Sequence, residues 1–352
     1  MKKLLLLLAV LSLPLLFQFN AYQILKLKTF DAFVPKGVSS NYFAVLNITE
    51  EDVDREGGYP LPRARLAEIQ NKLIAQGAIG VGWVIAFPHA DRLGGDADFA
   101  ASMNYSRTVL PLFENDNGEY PDTVGTVILG DGTGGYIAKG TTQNILVLKN
   151  SQWTEQGIAS APVDVDNLVR RIPLLYQTPD GWLAAFGTQV LKSLAGADTY
   201  VIKTNQNGIE EIRVKGLPSV KVDSLGRKWV SWIAPHETSL AEMDVEGRFV
   251  FVGVTAAGVM PQLATPVGLL EPHYIQAALA ESILQENSPY IPDYALAVEA
   301  FAYVITVITV WLAIHLLGVT WGVITAIFCM ALTCSAGFYL INKGVLIDVT
   351  WA

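Results

Sequence analysis

The hydrophobic positions of this chain form two kinds of pattern: long unbroken runs near both ends and short periodic runs between them. Two lysines precede an apolar run from Leu4 to Phe17. A second run, from Tyr294 to Asn342, contains only Glu299 and His315 as acidic or basic residues. Because a bilayer core needs about 20 apolar residues per helix, this second run is long enough for two membrane spans.

The apolar runs predict three membrane crossings. The first run predicts an uncleaved anchor helix from Leu4 to about Leu25, because bulky residues stand where a signal peptide would have its cleavage site. The second predicts spans at about Ala295 to Leu317 and about Trp321 to Ile341, with a tight turn at Gly318. The basic end of the anchor is expected in the cytoplasm, so the residues between the anchors are expected outside.

The predicted organisation has four parts. They are an N-terminal transmembrane anchor (1–25), one extracytoplasmic α/β domain (26–292), a hairpin of two transmembrane helices (293–342) and the start of a further segment (343–352). The last part, "KGVLIDVTWA", stops where another apolar segment begins. We therefore expect the chain to be a piece of a longer one, with a natural end at Ala352 as the alternative. The expected location is the inner (cytoplasmic) membrane of a bacterium, with a multi-pass anchor and the large domain in the periplasm.

The first part of the outer region predicts a βαβ unit. "YFAVLNI" (42–48) is rich in strand-forming residues, and "EEDVDREGG" (50–58) after it is expected to be an exposed loop. Between residues 63 and 76 the apolar positions fall on one helical face, with Gly77 suited to the C-terminal cap. "AIGVGWVIAF" (78–87) is a continuous apolar run, typical of a strand buried on both faces.

The same alternation recurs later in the chain. Strands are predicted at 108–113, 171–176 and 248–255, helices at 96–103, 181–196 and 270–285, and a β-rich stretch at 199–233. This order favours an α/β fold with a mainly parallel central sheet, flanking helices and an antiparallel excursion.

Composition excludes several classes of function. The chain is 51% hydrophobic and 16% charged, which fits a soluble domain attached to a few spans. Its net charge of -9 argues against a nucleic-acid partner, because neutralising phosphates requires clustered Lys and Arg. Both cysteines, Cys329 and Cys334, fall in the last predicted span, so the outer region has no disulfide.

Two short motifs have structural interpretations. "GDGTGG" (130–135) has the glycine spacing of a dinucleotide-binding loop, but a strand-like sequence follows instead of a helix. We therefore predict a hairpin turn there. "DVDN" (164–167) begins like a calcium loop but lacks the later ligands, which favours a turn with Asn167 in the left-handed region.

The remaining candidate residues predict neither a metal nor a cofactor. His89, His236 and His273 each follow a proline, and nothing in their spacing brings them together. The chain has no nucleophile elbow, zinc-protease motif or phosphate loop, so no catalytic residue and no enzymatic activity are predicted. Glu299 is a candidate functional residue because it is an acid within a predicted membrane span. Its position about one turn from the end of that span favours a structural role instead.

The order of elements between residues 42 and 103 identifies a family resemblance. Tyr59-Pro60-Leu61-Pro62-Arg63 and Gly95-Asp96 lie within a strand, acidic loop, helix and buried strand, and this order resembles the type-two CHASE domain, a sensory extracellular domain associated with cyclases and histidine kinases. "KTFDAFV" (28–34) is similar to the family's short element after the first membrane helix. "PVDVDNLVRRIPLL" (162–175) and "FVFVGV…AESIL" (249–284) resemble its later segments, so that the resemblance covers almost the whole chain.

The resemblance implies a site and also raises a question about it. The matching positions suggest a ligand site with Arg63, Asp96, Thr255, Thr265 and His273. Structural roles are the alternative: Arg63 opening a helix, Asp96 capping the next one and Thr265-Pro266 setting a turn. Where the family would have acids, near the carboxyl edge of the sheet, this chain has Asn47, Trp83 and Gln262; Leu269 also replaces a glycine.

The resemblance implies a membrane-bound sensor or receptor module that regulates a cytoplasmic output domain absent from this chain. A nucleotide cyclase is the first expectation and a kinase the second. The alternative is a non-catalytic membrane scaffold or complex subunit whose outer domain docks a protein. The expected partners are the lipid bilayer, a small-molecule or protein signal, and further copies in a homodimer or larger membrane complex.

Overall fold

The computed structural model describes residues 19–34, 37–132, 134–285 and 289–348. These residues form two compact units. The larger unit comprises the described residues between 37 and 285 except 165–167; the smaller comprises 19–34, 165–167 and 289–348. The predicted anchor, from Leu4 to about Leu25, lies outside the described residues up to position 18, and the predicted domain boundaries stay predictions.

The helices and strands have the following bounds. The helices are α1 (Asn20–Phe33), α2 (Glu50–Arg55), α3 (Arg63–Ala75), α4 (Asp96–Met103), α5 (Leu146–Lys149), α6 (Phe186–Ala195), α7 (Pro272–Leu284), α8 (Ala295–Leu317) and α9 (Val319–Asn342). The strands are β1 (Phe43–Ile48), β2 (Gly80–Trp83), β3 (Arg107–Glu119), β4 (Gly125–Leu129), β5 (Tyr136–Ile137), β6 (Thr141–Thr142), β7 (Thr154–Ile158), β8 (Arg171–Pro173), β9 (Leu175–Thr178), β10 (Gly181–Ala184), β11 (Thr199–Asn205), β12 (Gly208–Val214), β13 (Val220–Lys221), β14 (Arg227–Trp229), β15 (His236–Ser239), β16 (Phe249–Val254), β17 (Leu263–Thr265) and β18 (Gly268–Leu270).

The larger unit is built on a mainly parallel sheet, as the sequence predicts. Its strand order is β15-β1-β16-β2-β3, and β3 pairs with both β7 and β6. Every pair is parallel except β3 with β6. The mixed α/β class is therefore confirmed.

Alternating side chains of the sheet serve two separate cores. Phe249 and Phe251 of β16 pack with α6 and α7 on one face, whereas Val250, Val252 and Val254 pack with α3 and α4 on the other. Successive residues of a strand point to opposite faces. Because helices cover both faces, a strand such as β16 is apolar throughout, which explains its unbroken hydrophobic sequence.

The predicted antiparallel excursion lies in a second sheet. Strands β11, β12 and β13 pair antiparallel, and β4 joins β11 in parallel. The hairpin turn predicted at 130–135 is wrong, since β4 belongs to this sheet and β5 pairs with β9 in another. Gly130 directly follows β4 and has a φ of 110°, which a glycine adopts without strain.

Three other sequence expectations need correction. The expected loop after β1 is the helix α2, because Thr49 and Asp52 form a capping box that satisfies its first amides. The predicted helix at 181–196 is strand up to Ala184 and helix only from Phe186, and the predicted strand at 171–176 is divided into β8 and β9. Gln177 and Trp182 pair across β9 and β10, so tertiary pairing overrides the helical spacing.

The first and last described segments of the larger unit are fastened to each other. The carboxylate of Glu281 in α7 is fully buried and accepts hydrogen bonds from the Ser39 hydroxyl at 3.2 Å and the Ser40 amide at 3.0 Å. One turn later, Gln285 donates to the carbonyl of Val38 at 2.9 Å. The chain thus enters and leaves this unit at one place.

The smaller unit contains two helices that are long and apolar enough to cross a membrane, α8 and α9. Their bounds agree with the predicted spans to within a few residues. α1 continues through Leu25 to Phe33 without a break, so the helix does not end near Leu25 as the anchor prediction has it.

Glu299 in α8 has a structural role in this smaller unit. Its carboxylate is almost fully buried and lies 2.6 and 2.9 Å from the Lys26 ammonium of α1. It also accepts a hydrogen bond from the backbone N–H of Asp348 at 2.7 Å. Tyr290, before α8, exchanges backbone hydrogen bonds with the chain after α9. One acid therefore joins three segments, as expected for a carboxylate that is buried only when paired.

Candidate functional site at the carboxyl edge of the central sheet

Three central strands end side by side at one edge of the parallel sheet. Asn47 of β1 pairs with Gly253 of β16, and Val252 of β16 pairs with Trp83 of β2. In open α/β sheets, ligands usually bind outside the carboxyl ends of the strands. This edge is therefore the expected position of a ligand site.

The Arg63 corner of this edge is a cluster of charges at the start of α3. Arg63 is the first residue of the helix, as the sequence predicts, and its guanidinium lies over the ring of Phe87 at 4.3 Å from the centroid. Its Nε is 3.5 Å from Asp96 Oδ1, an ion pair longer than a hydrogen bond. Its backbone N–H donates to Asp91 Oδ2 at 2.7 Å.

Burial and the nearby carboxylates have opposite effects on the pKa of Arg63. Burial lowers the pKa of the Arg63 guanidinium, whereas Asp96 and Asp91 raise it. Arginine nevertheless stays charged in proteins. Desolvation raises the pKa of Asp91, but hydrogen bonds from the backbone of Arg63 and Leu93 outweigh it and leave that pKa below its usual value.

The expected capping role of Asp96 is wrong. Asp96 is the first residue of α4, and Gly95, at a φ of 94°, occupies the N-cap without any side-chain cap. A Cβ at Gly95 would collide with the backbone of Ala64 in α3, so the two helices approach closely there. Asp96 instead accepts a hydrogen bond from the backbone N–H of Asp91 at 2.9 Å, which ties this loop to the Arg63 corner.

A small pocket opens beside Arg63. It is lined by the ends of β1 and β16, the segment after β2 and the loop before α3: Ile48, Tyr59, Pro60, Leu61, Arg63, Leu66, Ile85 and Val254. Its atom-free space is about 220 Å³ including the open mouth, and roughly one water molecule fits wholly inside. Arg63 is its one charged lining residue.

The His273 corner lies at the same edge, where α7 begins. His273 is almost fully buried, and its ring packs against Gly253, where any Cβ would collide with it. Its Nε2 is 2.9 Å from the Oδ1 of Asn47. The Asn47 amide nitrogen donates to the hydroxyl of Tyr274 at 2.7 Å, so Asn47 links two neutral side chains, and the Tyr274 hydroxyl also contacts the Glu237 carboxylate.

Burial sets the protonation states of these two side chains. It lowers the pKa of His273 to about 3, so the imidazole is neutral at pH 7 and donates from Nε2 to Asn47. Burial also raises the pKa of Tyr274 to about 12; the bond from Asn47 works against this rise, and Glu237 adds to it. With these pKa values, neither the His273 imidazole nor the Tyr274 hydroxyl changes its protonation state near neutral pH.

The two threonines of the predicted site make hydrogen bonds to the backbone. The backbone N–H of Thr255 donates to the Ile48 carbonyl at 2.9 Å, which ties β16 to the end of β1. The hydroxyl of Thr265 donates to the Gly268 carbonyl at 2.7 Å and accepts from the Val267 amide at 3.3 Å. Thr265-Pro266 thus lies in the turn between β17 and β18, as predicted, and its hydroxyl is occupied there.

The three positions where acids are expected carry neutral side chains with structural contacts. Asn47 serves His273 and Tyr274, as described above. Trp83 is fully buried, donates to the Gln70 side chain at 2.8 Å and packs edge-to-face on Phe99. Gln262 donates to Glu271 at 2.9 Å on the surface. At the second of these positions, where the family would have an acid, this chain therefore has a tryptophan of the hydrophobic core.

Several residues at this edge were not predicted from the sequence as site residues. Tyr59 and Asp91 line or support the Arg63 corner, and Tyr274 completes the His273 corner. The position of Tyr59 in the turn before Arg63 could have indicated its place at the site. No local sequence pattern indicates that Asp91 contacts Arg63, which lies 28 residues away. "DVDN" proved structural: Asn167 has a φ of 61°, as predicted, and Asp164 pairs with Arg171.

His89, His236 and His273 lie in the larger unit and His315 in the smaller one. His236 pairs with Asp244 at 3.0 Å, whereas His273 contacts Asn47. Among the residues that the structure describes, no group of three or more His, Cys, Asp or Glu side chains could hold a metal ion.

Comparison with known proteins gives one match. A family model described as the CHASE2 domain matches residues 4–317, which include the larger unit and α8. No curated protein and no solved structure matches the chain.

Proposed function

Because the chain belongs to the CHASE2 domain family, whose members are sensory extracellular domains of signalling proteins, we propose that it is the membrane-bound sensory module of one signalling protein. In this proposal the larger unit receives a signal in the periplasm, and the apolar helices anchor it in the inner membrane as a multi-pass protein. The observation that carries the proposal is the family match over 4–317, followed directly by a second apolar helix.

The topology can be tested by labelling single cysteines. In a chain with Cys329→Ala and Cys334→Ala, a cysteine replaces either the exposed Asp116 of the larger unit or the exposed Val319 at the start of α9. An impermeant maleimide added to intact spheroplasts should label position 116 and spare position 319 until the cells are lysed. Labelling of 319 alone would reverse the topology and remove the receptor proposal.

The proposed output is a cytoplasmic catalytic domain on the same protein, a nucleotide cyclase first and a kinase second. The family supports an output of this kind, since its members belong to signalling proteins. The reading frame beyond Ala352 provides the test: a cyclase or kinase domain there supports the sensor. Cyclic-nucleotide production by the full-length protein then distinguishes the two outputs. We further propose a homodimer, which the molar mass of the detergent-solubilised protein would check.

The structure also favours a second candidate, a non-catalytic scaffold whose outer domain docks a protein. The specific observation is the His273 corner, where the polar groups bond to one another and neutral residues occupy the expected acid positions. A stop codon directly after Ala352, together with recovery of a stoichiometric membrane partner, would favour this alternative over the sensor.

A further inference from the structure

We propose that the amino edge of the central sheet, where its parallel strands begin, lies in the headgroup layer of the membrane. The inference rests on the membrane anchoring proposed above and goes beyond the sensory function, because it assigns a lipid-binding surface to the larger unit itself. Three observations carry it: a row of exposed apolar side chains, the backbone bonds that align this row, and the position of the two ends of the unit.

An exposed apolar residue stands directly before three of the parallel strands and close before a fourth. Tyr42 precedes β1, Ile79 precedes β2, Trp153 precedes β7, and Tyr105 lies two residues before β3. Their exposed fractions are 59%, 40%, 52% and 81%. Because parallel strands all begin at one border of their sheet, these four residues, named here the amino-edge row, lie along that border. Single exposed apolar residues are ordinary on a protein surface, whereas an aligned set marks an interaction site.

Backbone hydrogen bonds between neighbouring strands align the row. The first amide of β16 donates to the Tyr42 carbonyl at 2.8 Å, and Ile79 donates to the residue before β16 at 3.0 Å. Thr108 of β3 donates to the Trp153 carbonyl, also at 3.0 Å. Four strand spacings separate β1 from β7, and at about 4.8 Å each they give the row a length of roughly 19 Å. The row can therefore meet a flat surface at several points.

Both ends of the larger unit lie at this same edge. Ser39 and Ser40, which precede β1, bond to Glu281 near the end of α7. Gln285, directly after α7, stands ten residues before Ala295, where the apolar helix α8 begins. Ten extended residues span at most about 35 Å. With α8 in the bilayer as proposed, the amino edge is therefore the border of the unit that the chain tethers to the membrane.

The side chains of the row match the chemistry of the headgroup layer. Tyrosine and tryptophan combine an apolar ring with a polar group, and they are enriched where lipid meets water. Charge does not supply the attraction, because exposed residues around this edge carry both signs: Arg107 and Lys72 are basic and Glu246 is acidic. The ring contacts should therefore form on zwitterionic as well as anionic lipid. A second copy of the chain is the competing occupant of the row.

The test measures how close single labelled positions of the full chain come to lipid headgroups in nanodiscs. With Cys329→Ala and Cys334→Ala in place, one cysteine replaces Tyr105, Trp153 or, as the control, Leu93, and carries a fluorophore. Leu93 is 70% exposed and follows β2 on the opposite, carboxyl side of the sheet. Lipids with a spin label on the headgroup should quench positions 105 and 153 at least twofold more than position 93, in zwitterionic and anionic nanodiscs alike.

Substitutions elsewhere in the row test whether it acts as one surface. Tyr42→Ser together with Tyr105→Ser should reduce the quenching at position 153 by roughly half, because two of the aromatic contacts with the headgroup layer are lost. The matched control, Leu93→Ser together with Val267→Ser, removes two exposed apolar side chains outside the row and should leave the quenching unchanged. All four residues are exposed, so the fold should be kept.

Three results would overturn the proposal. They are equal quenching at positions 93, 105 and 153, quenching confined to anionic lipid, and unchanged quenching at position 153 in the variant with both serines in the row. If the rings meet a second copy instead, equal quenching would be accompanied by energy transfer between copies labelled at position 153 in lipid-free detergent micelles. None of these results removes the sensory function, which the labels at 116 and 319 and the reading frame test separately.

Discussion

The Arg63 and His273 corners lie at the same edge of one sheet, yet they satisfy their polar groups in opposite ways. At the His273 corner, Asn47 both accepts from the imidazole and donates to the tyrosine hydroxyl, and the groups carry no charge. At the Arg63 corner, a charged group is held by one long ion pair with Asp96 and by the ring of Phe87, and it lines a small pocket. The first corner is held together by hydrogen bonds between neutral side chains; the second is held by a charge, a carboxylate and an aromatic ring.

The contrast separates residues that stabilise the fold from residues that line a pocket. Buried hydrogen-bond partners are costly to remove because the group left behind stays desolvated. A corner that depends on short internal hydrogen bonds should therefore tolerate substitution poorly, whereas a corner held by one long ion pair should lose less stability. Four predictions test this difference, from the largest expected effect to the smallest.

Asn47→Leu should lower the free energy of unfolding by roughly 2–4 kcal/mol, because His273 and Tyr274 would both lose a partner. Denaturant titration of the detergent-solubilised chain measures it. The matched control is Gln262→Leu, which removes one exposed amide and should cost less than about 1 kcal/mol. Equal losses in the two variants would contradict the internal dependence of the His273 corner.

Acidification from pH 7 to 5 should destabilise the fold through His273 by about 2 kcal/mol. The folded pKa is about 3 and the unfolded one about 6.5, so between these values only the unfolded chain binds the proton. Stability is thus lost as the pH falls through this window. The measurement is the pH dependence of unfolding of the wild type minus that of His273→Gln; a flat difference would mean that the imidazole protonates in the folded state.

Arg63→Met should cost only about 1–2 kcal/mol, from the lost contact with Phe87 and the long pair with Asp96. The methionine keeps most of the apolar contact of the side chain, so the helix should form as before. Circular dichroism during thermal unfolding would follow the change. A loss above that of Asn47→Leu would show that the Arg63 corner is the more internally dependent of the two.

Tyr59→Phe should change the free energy of unfolding by less than about 0.5 kcal/mol, because its hydroxyl makes no hydrogen bond to the described residues. The same substitution in the other corner, Tyr274→Phe, removes the acceptor of the Asn47 amide and should cost about 1 kcal/mol. Unfolding curves of the two variants, recorded side by side, give the smallest but most direct comparison. A reversed order would contradict the assignment of donors.

Much of the fold could be predicted from hydrophobic pattern alone. β1, α3, α4 and β16 form within a few residues of their predicted positions, because apolar periodicity reports which face each element buries. The failures occurred where a tertiary or local polar contact decides the structure. The capping box of Thr49 stabilises a helix in an acidic stretch that was expected to be a loop. Residues Gly181–Ala184 have helical spacing in the sequence but form a strand, because β10 pairs with β9.

The site was less predictable than the fold. The sequence places Arg63 at a helix start and Thr265 in a turn, and both placements hold. It does not indicate that Asp96 contacts Arg63 in place of capping α4, since that depends on the close approach of two helices at Gly95. Nor does it indicate which donors lack a partner, because the acceptors of buried groups lie tens to hundreds of residues away, as Asn47 and His273 do.

The bonds from Glu281 and Gln285 to Ser39, Ser40 and Val38 have a practical consequence for protein engineering. Since the two ends of the larger unit meet, a short peptide could splice residue 285 to residue 37 and yield a circular permutant with new termini in an exposed loop. Such a permutant would be free of every apolar helix that flanks the unit. Its crystallisation, or its titration with candidate signals in plain buffer, would then be open to direct experiment.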